Sequence, residues 1–565
     1  MIVSAVSLWK KFKLKTPLDA SEWGIEEKDG KIFSHVSFSG HRTTDGVVRI
    51  YAQFSRPKGS EKRPAILLLP DAGELLDREL MDYFVDKGYA VLTPDYSGKM
   101  KKDKEGTLRT LYPASLSYAN YEKADLYEMK ETEAEKTAWF EWTYVALFAL
   151  EYLKSRAEVG PIGVVGIRKG GDIAWQTMLS PSVKCGIPVN APGWRSFLNV
   201  AKFGEDTVHN MSDETRRYIA AVEAQSYAPY VKCPVLMLCA LRDKEIDCDR
   251  AYDTYSRIGN TDENALVYSV DTEACIGPNA LIDMDLFLEK NLKGREIYIP
   301  DTLNVSLSEN KNGLLVKVEG DKEGILQEVG VYYAEADVST KSNYRDWRCI
   351  YKTDGSSVKN NEIQLEVKPF AGAKAAFVYG YAKYINGFRV MSKIVGKRLS
   401  SHNAMAIKSR KLFSGSETDC FGVAEYKEYS VGGIFLERTS VPKTIKGYGD
   451  INGAFSVSGI KTYKISSPKY VPDENALLEF DVYAKTDETV FVSIEVADVK
   501  TEIERYTCPI PVKGGGKWKR IILKPGDFKG ETYSQPLKSF KDGNSLLFDC
   551  EREEGEFAVA NILWL

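Results

Sequence analysis

Pro161-Ile162-Gly163-Val164-Val165-Gly166-Ile167-Arg168-Lys169-Gly170-Gly171-Asp172-Ile173-Ala174-Trp175-Gln176-Thr177-Met178-Leu179 is the stretch that decides how the chain folds. Its opening run, Pro161 to Val165, is short and rich in β-branched residues, so it reads as a buried strand. The closing run, Asp172 to Leu179, reads as a helix. The residues between them follow the pattern Gly-x-X-x-Gly-Gly, in which a sharp strand-to-helix turn lifts X out of both elements. Here X is Arg168. A guanidinium is always protonated and has no lone pair to offer, so Arg168 cannot attack a carbonyl.

Outward from this turn, buried strands alternate with helices. Ala65-Ile66-Leu67-Leu68-Leu69 leads into the loop Pro70-Asp71-Ala72-Gly73 and then a helix over 75–87. Tyr89 to Pro94 reads as another strand, ending in Asp95-Tyr96-Ser97-Gly98. A long amphipathic helix is predicted over 132–155, with Trp139, Trp142 and Phe148 on its apolar face. Pro234 to Cys239 and Ala265 to Val270 complete the strands, and a helix over 282–292 closes the unit. This rhythm predicts a mostly parallel, doubly wound sheet covered on both faces. Two alternating runs, Lys31 to Phe38 and Val47 to Phe54, come before it.

Past Pro300 helical periodicity disappears. Short alternating runs such as Leu314 to Val318, Glu328 to Tyr333 and Ala375 to Tyr381 predict a β-sandwich. A second all-β block follows, with runs such as Ala476 to Tyr483, Val490 to Val496 and Phe557 to Trp564. The expected domains are 1–299, 300–408 and 409–565.

The chain has 565 residues, 43% of them apolar and 28% charged, which fits a soluble multidomain protein rather than a disordered one. A net charge of -4 gives no basic surface for nucleic acid or a membrane. No apolar run approaches the roughly 18 residues of a membrane span. The N-terminus does not read as a signal peptide, and the nine scattered cysteines show no CxxC spacing. The expectations are therefore a cytoplasmic location, no metal and no cofactor.

Residues 60–295 resemble the α/β-hydrolase superfamily, nearest in layout to dienelactone-hydrolase-like and acetyl-xylan-esterase-like members. Four places carry the resemblance: Pro70 to Gly73 as the oxyanion loop, Thr93-Pro94-Asp95-Tyr96 as a strand ending in a Pro-Asp turn, Gly166 to Gly171 as the nucleophile elbow, and Cys239 to Glu245 as the strand end bearing the triad acid. The resemblance implies that Asp243 is that acid. It also implies a serine where Arg168 stands and a histidine in the loop 271–278, which has none. The other histidines, His35, His41, His209 and His402, do not occupy that position; the first two precede the predicted sheet. The block 409–565 resembles galactose-binding-like jelly rolls, the fold of many carbohydrate-binding modules, on Gly516 to Arg520 and the closing Asn561 to Trp564. The block 300–408 resembles Ig-like domains that accompany some large bacterial hydrolases.

These readings point to an esterase-like pseudoenzyme with a binding or scaffolding role towards a carbohydrate or a small anion, and with homo-oligomers as a further possibility. The alternative is an esterase acting on a decorated carbohydrate through an atypical site. No catalytic residue is intact, and Asp243 is vestigial. Candidate ligand-binding residues are Arg168, Lys169, Asp71, Ala72, Tyr96, Trp194 and His209. Arg168 either plugs the old pocket by pairing with Asp243, or holds an anion with the help of Lys169 and the helix N-terminus. Cys275 reads as a buried thiol, and Trp347 and Trp518 as core residues of the β-domains.

Overall fold

The computed structural model describes residues 4–565 apart from 77, 128, 131, 205–210, 261–262, 270–277, 401–407, 416–429, 432–433, 436–442, 447–451, 457–458, 498–503 and 551–555. His209, Cys275, His402 and most of the loop 271–278 lie outside the described residues.

A nine-stranded sheet organises the first half of the chain. Its strands are β1 (Ser21–Lys28), β2 (Lys31–Arg42), β3 (Val47–Pro57), β4 (Arg63–Leu69), β5 (Ala90–Pro94), β6 (Val159–Ile167), β7 (Val183–Val189), β8 (Leu236–Ala240) and β9 (Ala265–Ser269). Their spatial order is β1-β2-β3-β5-β4-β6-β7-β8-β9. From β5 to β9 all pairings are parallel, and their near-continuous apolar runs are buried on both faces, as parallel strands require. β1, β2 and β3 add an antiparallel wing, and β3 joins β5 directly through Ala52↔Pro94 to Ser55↔Val91. The two early runs, with His35 and His41, therefore belong to the sheet and do not precede it. That pairing is long-range, and local alternation carries no sign of it.

Three helices matter for the site: α1 (Ala138–Ser155), α2 (Lys169–Thr177) and α3 (Asp213–Ala221). α1 begins six residues later than the sequence predicts. Thr137 caps it by accepting from the Phe140 amide, and residues 134–136 form a separate 3₁₀ turn. The closing helix, Pro278–Lys293, is longer than the predicted 282–292. Among the described residues, no helix is long and apolar enough to cross a membrane.

Chain order reverses around β4: its successor β5 lies on one side and β6 on the other. In open α/β sheets such a reversal leaves a crevice beyond the carboxyl ends of the strands. The loop Pro70 to Gly73 follows β4, and the elbow follows β6.

Beyond residue 300, strands pair antiparallel in smaller sheets. One contains Asn304–Asn310, Gly313–Glu319 and Glu362–Val367; its neighbour contains Leu326–Ala336, Arg348–Asp354 and Ala375–Tyr384. Buried apolar residues from Ala5 to Ile394 form one continuous core, joined by contacts such as Phe203 with Phe377 and Tyr268 with Tyr379. A separate core runs from Leu412 to Trp564 between two further antiparallel sheets. Trp347 is buried as expected. Trp518 is not a core residue: it is only partly buried, against Tyr483 and the Cβ-free surface of Gly453.

Candidate functional site

The elbow keeps the backbone of a sharp turn. Arg168 has φ 52° and ψ −114°, a conformation side chains rarely adopt. The glycines around it are sterically required. A Cβ on Gly166 would lie 2.3 Å from the Gly170 carbonyl oxygen, and one on Gly170 would lie 2.2 Å from that of Leu69. The Arg168 amide donates to the Val189 carbonyl, and the Arg168 carbonyl accepts from the Asp172 amide to open α2.

The side chain at the tip is committed to carboxylates. Arg168 Nη2 lies 2.9 Å from Asp243 Oδ2, and Nη1 lies 2.9 Å from Glu245 Oε2, with the side chain 12% exposed. The Arg168 N–H groups are not aimed at Asp243 Oδ2, which receives charge attraction but no hydrogen bond from the described residues. Asp243 Oδ1 accepts from the Glu245 amide at 2.8 Å. Burial pushes the Asp243 carboxyl up to about 6, against the pull of Arg168. Burial also opposes the charges of Arg168 and Glu245. Asp243, Glu245 and Asp71 outweigh it for Arg168, which is held more firmly protonated than usual. Arg168, Lys169 and Arg195 outweigh it for Glu245, which is held below the ordinary carboxylate range.

Asp71 occupies the other half of the crevice. Its Oδ1 accepts from the Lys169 amide at 3.2 Å and from the Ala72 amide at 2.9 Å, with Lys169 Nζ at 3.5 Å. The amide of the residue after the elbow tip and an amide from the loop after the preceding parallel strand are the two donors that form an oxyanion hole on this scaffold. Here one carboxylate oxygen accepts from both.

The acid loop after β8 alternates its loyalties. Asp243 and Glu245 face Arg168. Arg242 donates to the carbonyls of Asn343 (3.1 Å) and Arg345 (2.5 Å) and stacks 3.9 Å from the Tyr463 ring centroid. Lys244 pairs at 2.8 Å with Glu495, which is buried and also meets Lys461, Arg505 and Ser545. Further along, Asp249 takes both prongs of Arg345 at 2.6 and 2.8 Å. Both β-rich regions thus hold the segment that presents Asp243.

The other expected site residues fall elsewhere. Tyr96 does not line an opening: it is fully buried, and its hydroxyl donates to the Pro70 carbonyl, supporting the oxyanion loop from below. Ser97 does the same work, accepting from the Gly73 amide and donating to Asp95. Trp194 is bonded to Gln225 and Thr254 and covered by Arg257, which gives it a packing role. His35 pairs with Tyr51, and His41 with the buried Glu141. Glu245, Asp172 and Arg195 join the site without having been expected there. Glu245 follows Asp243 by two positions, a spacing that could have flagged it. Arg195 reaches Asp172 at 3.2 Å from an irregular segment that carries no periodic signal. Among the described residues, no group of three or more His, Cys, Asp or Glu side chains is arranged to hold a metal ion.

Residues 50–269 match the family model of the dienelactone hydrolase family. Solved structures similar to this chain include the acetyl xylan esterase from Paenibacillus sp. R4, at 16% identity and TM-score 0.38 over 51% of this chain and 92% of that one. Acetyl xylan esterase 1 from Thermoanaerobacterium sp. JW/SL YS485 is 16% identical with TM-score 0.35, over 47% and 84%. Est1E from Butyrivibrio proteoclasticus is 14% identical with TM-score 0.28, over 41% and 88%. No curated protein matches the chain. With its topology, the family match makes the N-terminal part an α/β-hydrolase-like domain of a multidomain chain, followed by β-sheet regions.

Proposed function

We propose that the α/β-hydrolase-like domain is catalytically degenerate and serves binding or scaffolding, towards a carbohydrate or a small anion, with 300–408 and 409–565 as attached β-domains. One observation carries the reading: the elbow tip is a guanidinium paired with Asp243 and Glu245, while Asp71 takes the two amides a developing oxyanion would need. Acyl transfer starts from a nucleophile that gives up a proton to a nearby base. Arg168 cannot do so. Of the two roles open to it, plug and anion anchor, the internal pairs favour the plug.

One observation speaks for the alternative, an esterase acting on a decorated carbohydrate. The strained backbone at the elbow persists, and such strain is costly unless its surroundings impose it. An assay with short-chain nitrophenyl esters separates the two. The proposal expects no turnover above background in the full-length chain. Turnover that survives in Arg168→Ala would overturn it.

A further inference from the structure

The cysteines are scattered along the sequence, but the fold brings two of them together at the base of the acid loop. Cys239 is the penultimate residue of β8, and Cys248 opens the 3₁₀ turn Cys248–Arg250. The chain between them carries Arg242, Asp243, Lys244 and Glu245. That chain folds back on one acceptor. The Ala240 carbonyl accepts from the Asp243 amide at 3.1 Å and from the Cys248 thiol at 3.6 Å. Cys248 therefore sits against the residue that follows Cys239.

Two further observations bring the thiols into contact. Hydrogen bonding to the Cys239 thiol, ahead of burial, raises the Cys248 thiol well above its ordinary value. Tyr268 stands opposite Cys239 in the parallel register of β8 and β9, so both side chains lie on one face of the sheet. The buried Tyr268 hydroxyl feels Cys248 and Cys239 alike. Cys185 and Cys233 also lie near each other, but there charge links the two thiols and no hydrogen bond between them.

A disulfide needs its sulfurs about 2 Å apart, and thiols already in hydrogen-bond contact have only that gap to close. In the folded chain they are inert. Both are fully buried, Cys248 is held protonated, and the thiolate is the form that attacks. The bond has to be made while the chain is folding and still open.

We propose that Cys239 and Cys248 are a disulfide pair that, in an oxidising compartment, joins during folding and staples the acid loop at its base. The oxidant is a small-molecule disulfide such as oxidised glutathione. The thiolate of one cysteine attacks it, forming a mixed disulfide and expelling one glutathione thiolate. The thiolate of the other attacks the cysteine sulfur of that mixed disulfide and expels the second. Two protein thiols are oxidised to one disulfide, one glutathione disulfide is reduced to two thiols, and the two protons pass to the departing glutathiones. The staple fixes the segment that turns Asp243 and Glu245 to Arg168 and sends Arg242 and Lys244 to the β-rich regions. Such bonds persist outside a reducing cytosol. Nothing in this depends on what the crevice binds.

Oxidative refolding tests it. Full-length protein, reduced and unfolded in guanidinium, is refolded in a glutathione redox buffer, its free thiols are blocked, and its peptides are mapped by mass. The expected result is a cross-linked peptide joining Cys239 to Cys248 in most molecules, absent from Cys239→Ala and Cys248→Ala. Native reduced protein in the same buffer should keep both thiols, and the bond once formed should survive a reductant until the protein unfolds. Amides of 241–247 should exchange hydrogen more slowly in the stapled protein than in the reduced one, with no such difference in Cys248→Ala. Should refolding fail, protein secreted into a bacterial periplasm is mapped against protein made in the cytosol. Free thiols at 239 and 248 in protein folded under oxidising conditions, a cross-link of Cys185 to Cys233 in place of this one, or unchanged exchange in the loop would each overturn the inference.

Discussion

Arg168 and Arg345 are both buried arginines that meet carboxylates of the acid loop, and they are held in opposite ways. Arg345 spends its fork on Asp249, its Nε on the Thr340 carbonyl, and its flat face on Phe377 at 3.5 Å. Its side chain is 1% exposed. Arg168 meets Asp243 without an aligned hydrogen bond and shares Glu245, whose side chain is half exposed, with Arg195. Bidentate arginine–carboxylate geometry marks a residue whose job is to hold two elements in register. The looser arrangement marks a side chain whose position is dictated by a backbone turn and which pairs with whatever acids stand nearby.

The contrast can be broken most sharply at Arg345. Arg345→Met leaves Asp249 buried and unpaired, and should cost about 3–5 kcal/mol in chemical denaturation. A loss near that of a surface substitution would dissolve the distinction. Glu495→Gln comes next, with an expected loss of about 2–3 kcal/mol and faster proteolysis between the hydrolase-like domain and the C-terminal region, because Lys461 and Lys244 lose their shared partner. Burial opposes the Glu495 charge, but Lys461, Lys244 and Arg505 hold the carboxyl well below its ordinary range. Its stabilising contribution is therefore present above the unfolded carboxyl value and is lost as pH falls through the lower folded value. A denaturation series in acid should show that loss in the parent and not in Glu495→Gln.

Arg168→Ala should cost less, about 1–2 kcal/mol, because Glu245 reaches water and Asp243 can take up a proton. A cost as large as that of Arg345→Met would show that the elbow arginine is equally structural. The smallest effect is read by titration. The ¹³C carboxyl signal of Asp243 should move with a midpoint near 6, and Arg168→Ala should raise it further. Because the folded value lies above the unfolded one, ionised Asp243 costs stability. That cost is absent below the unfolded value and complete once pH passes about 6. A midpoint near an ordinary aspartate would mean that solvent reaches the pair.

The elbow was legible in the sequence because its demands are local. Gly166, Gly170 and Gly171 are required by contacts within the turn and with the adjoining strand ends, and the strand and helix beside them announce themselves by composition. The alternation of strands and helices was legible for the same reason, as was the pairing of Arg168 with Asp243, once both ends were placed on one scaffold. The antiparallel wing was not, because β3 finds β5 across an intervening strand and helix. Tyr96 misled because a tyrosine after a strand end can face outward or inward with no change in pattern; its hydrogen bond to Pro70 decides the matter. Arg195 sends its side chain from an aperiodic segment to Asp172, and nothing in its neighbours foretells that reach.

Asp71 has a bearing on any effort to give this scaffold esterase chemistry. Installing serine at 168 and a histidine in the loop before the last helix would supply an attacking pair but nowhere for the negative oxygen of the tetrahedral adduct to go, because a carboxylate already draws on both amides and would repel it. An engineer would have to evict that side chain first. Directed evolution that selects for turnover should accept changes at position 71 before improvements at 168 become visible.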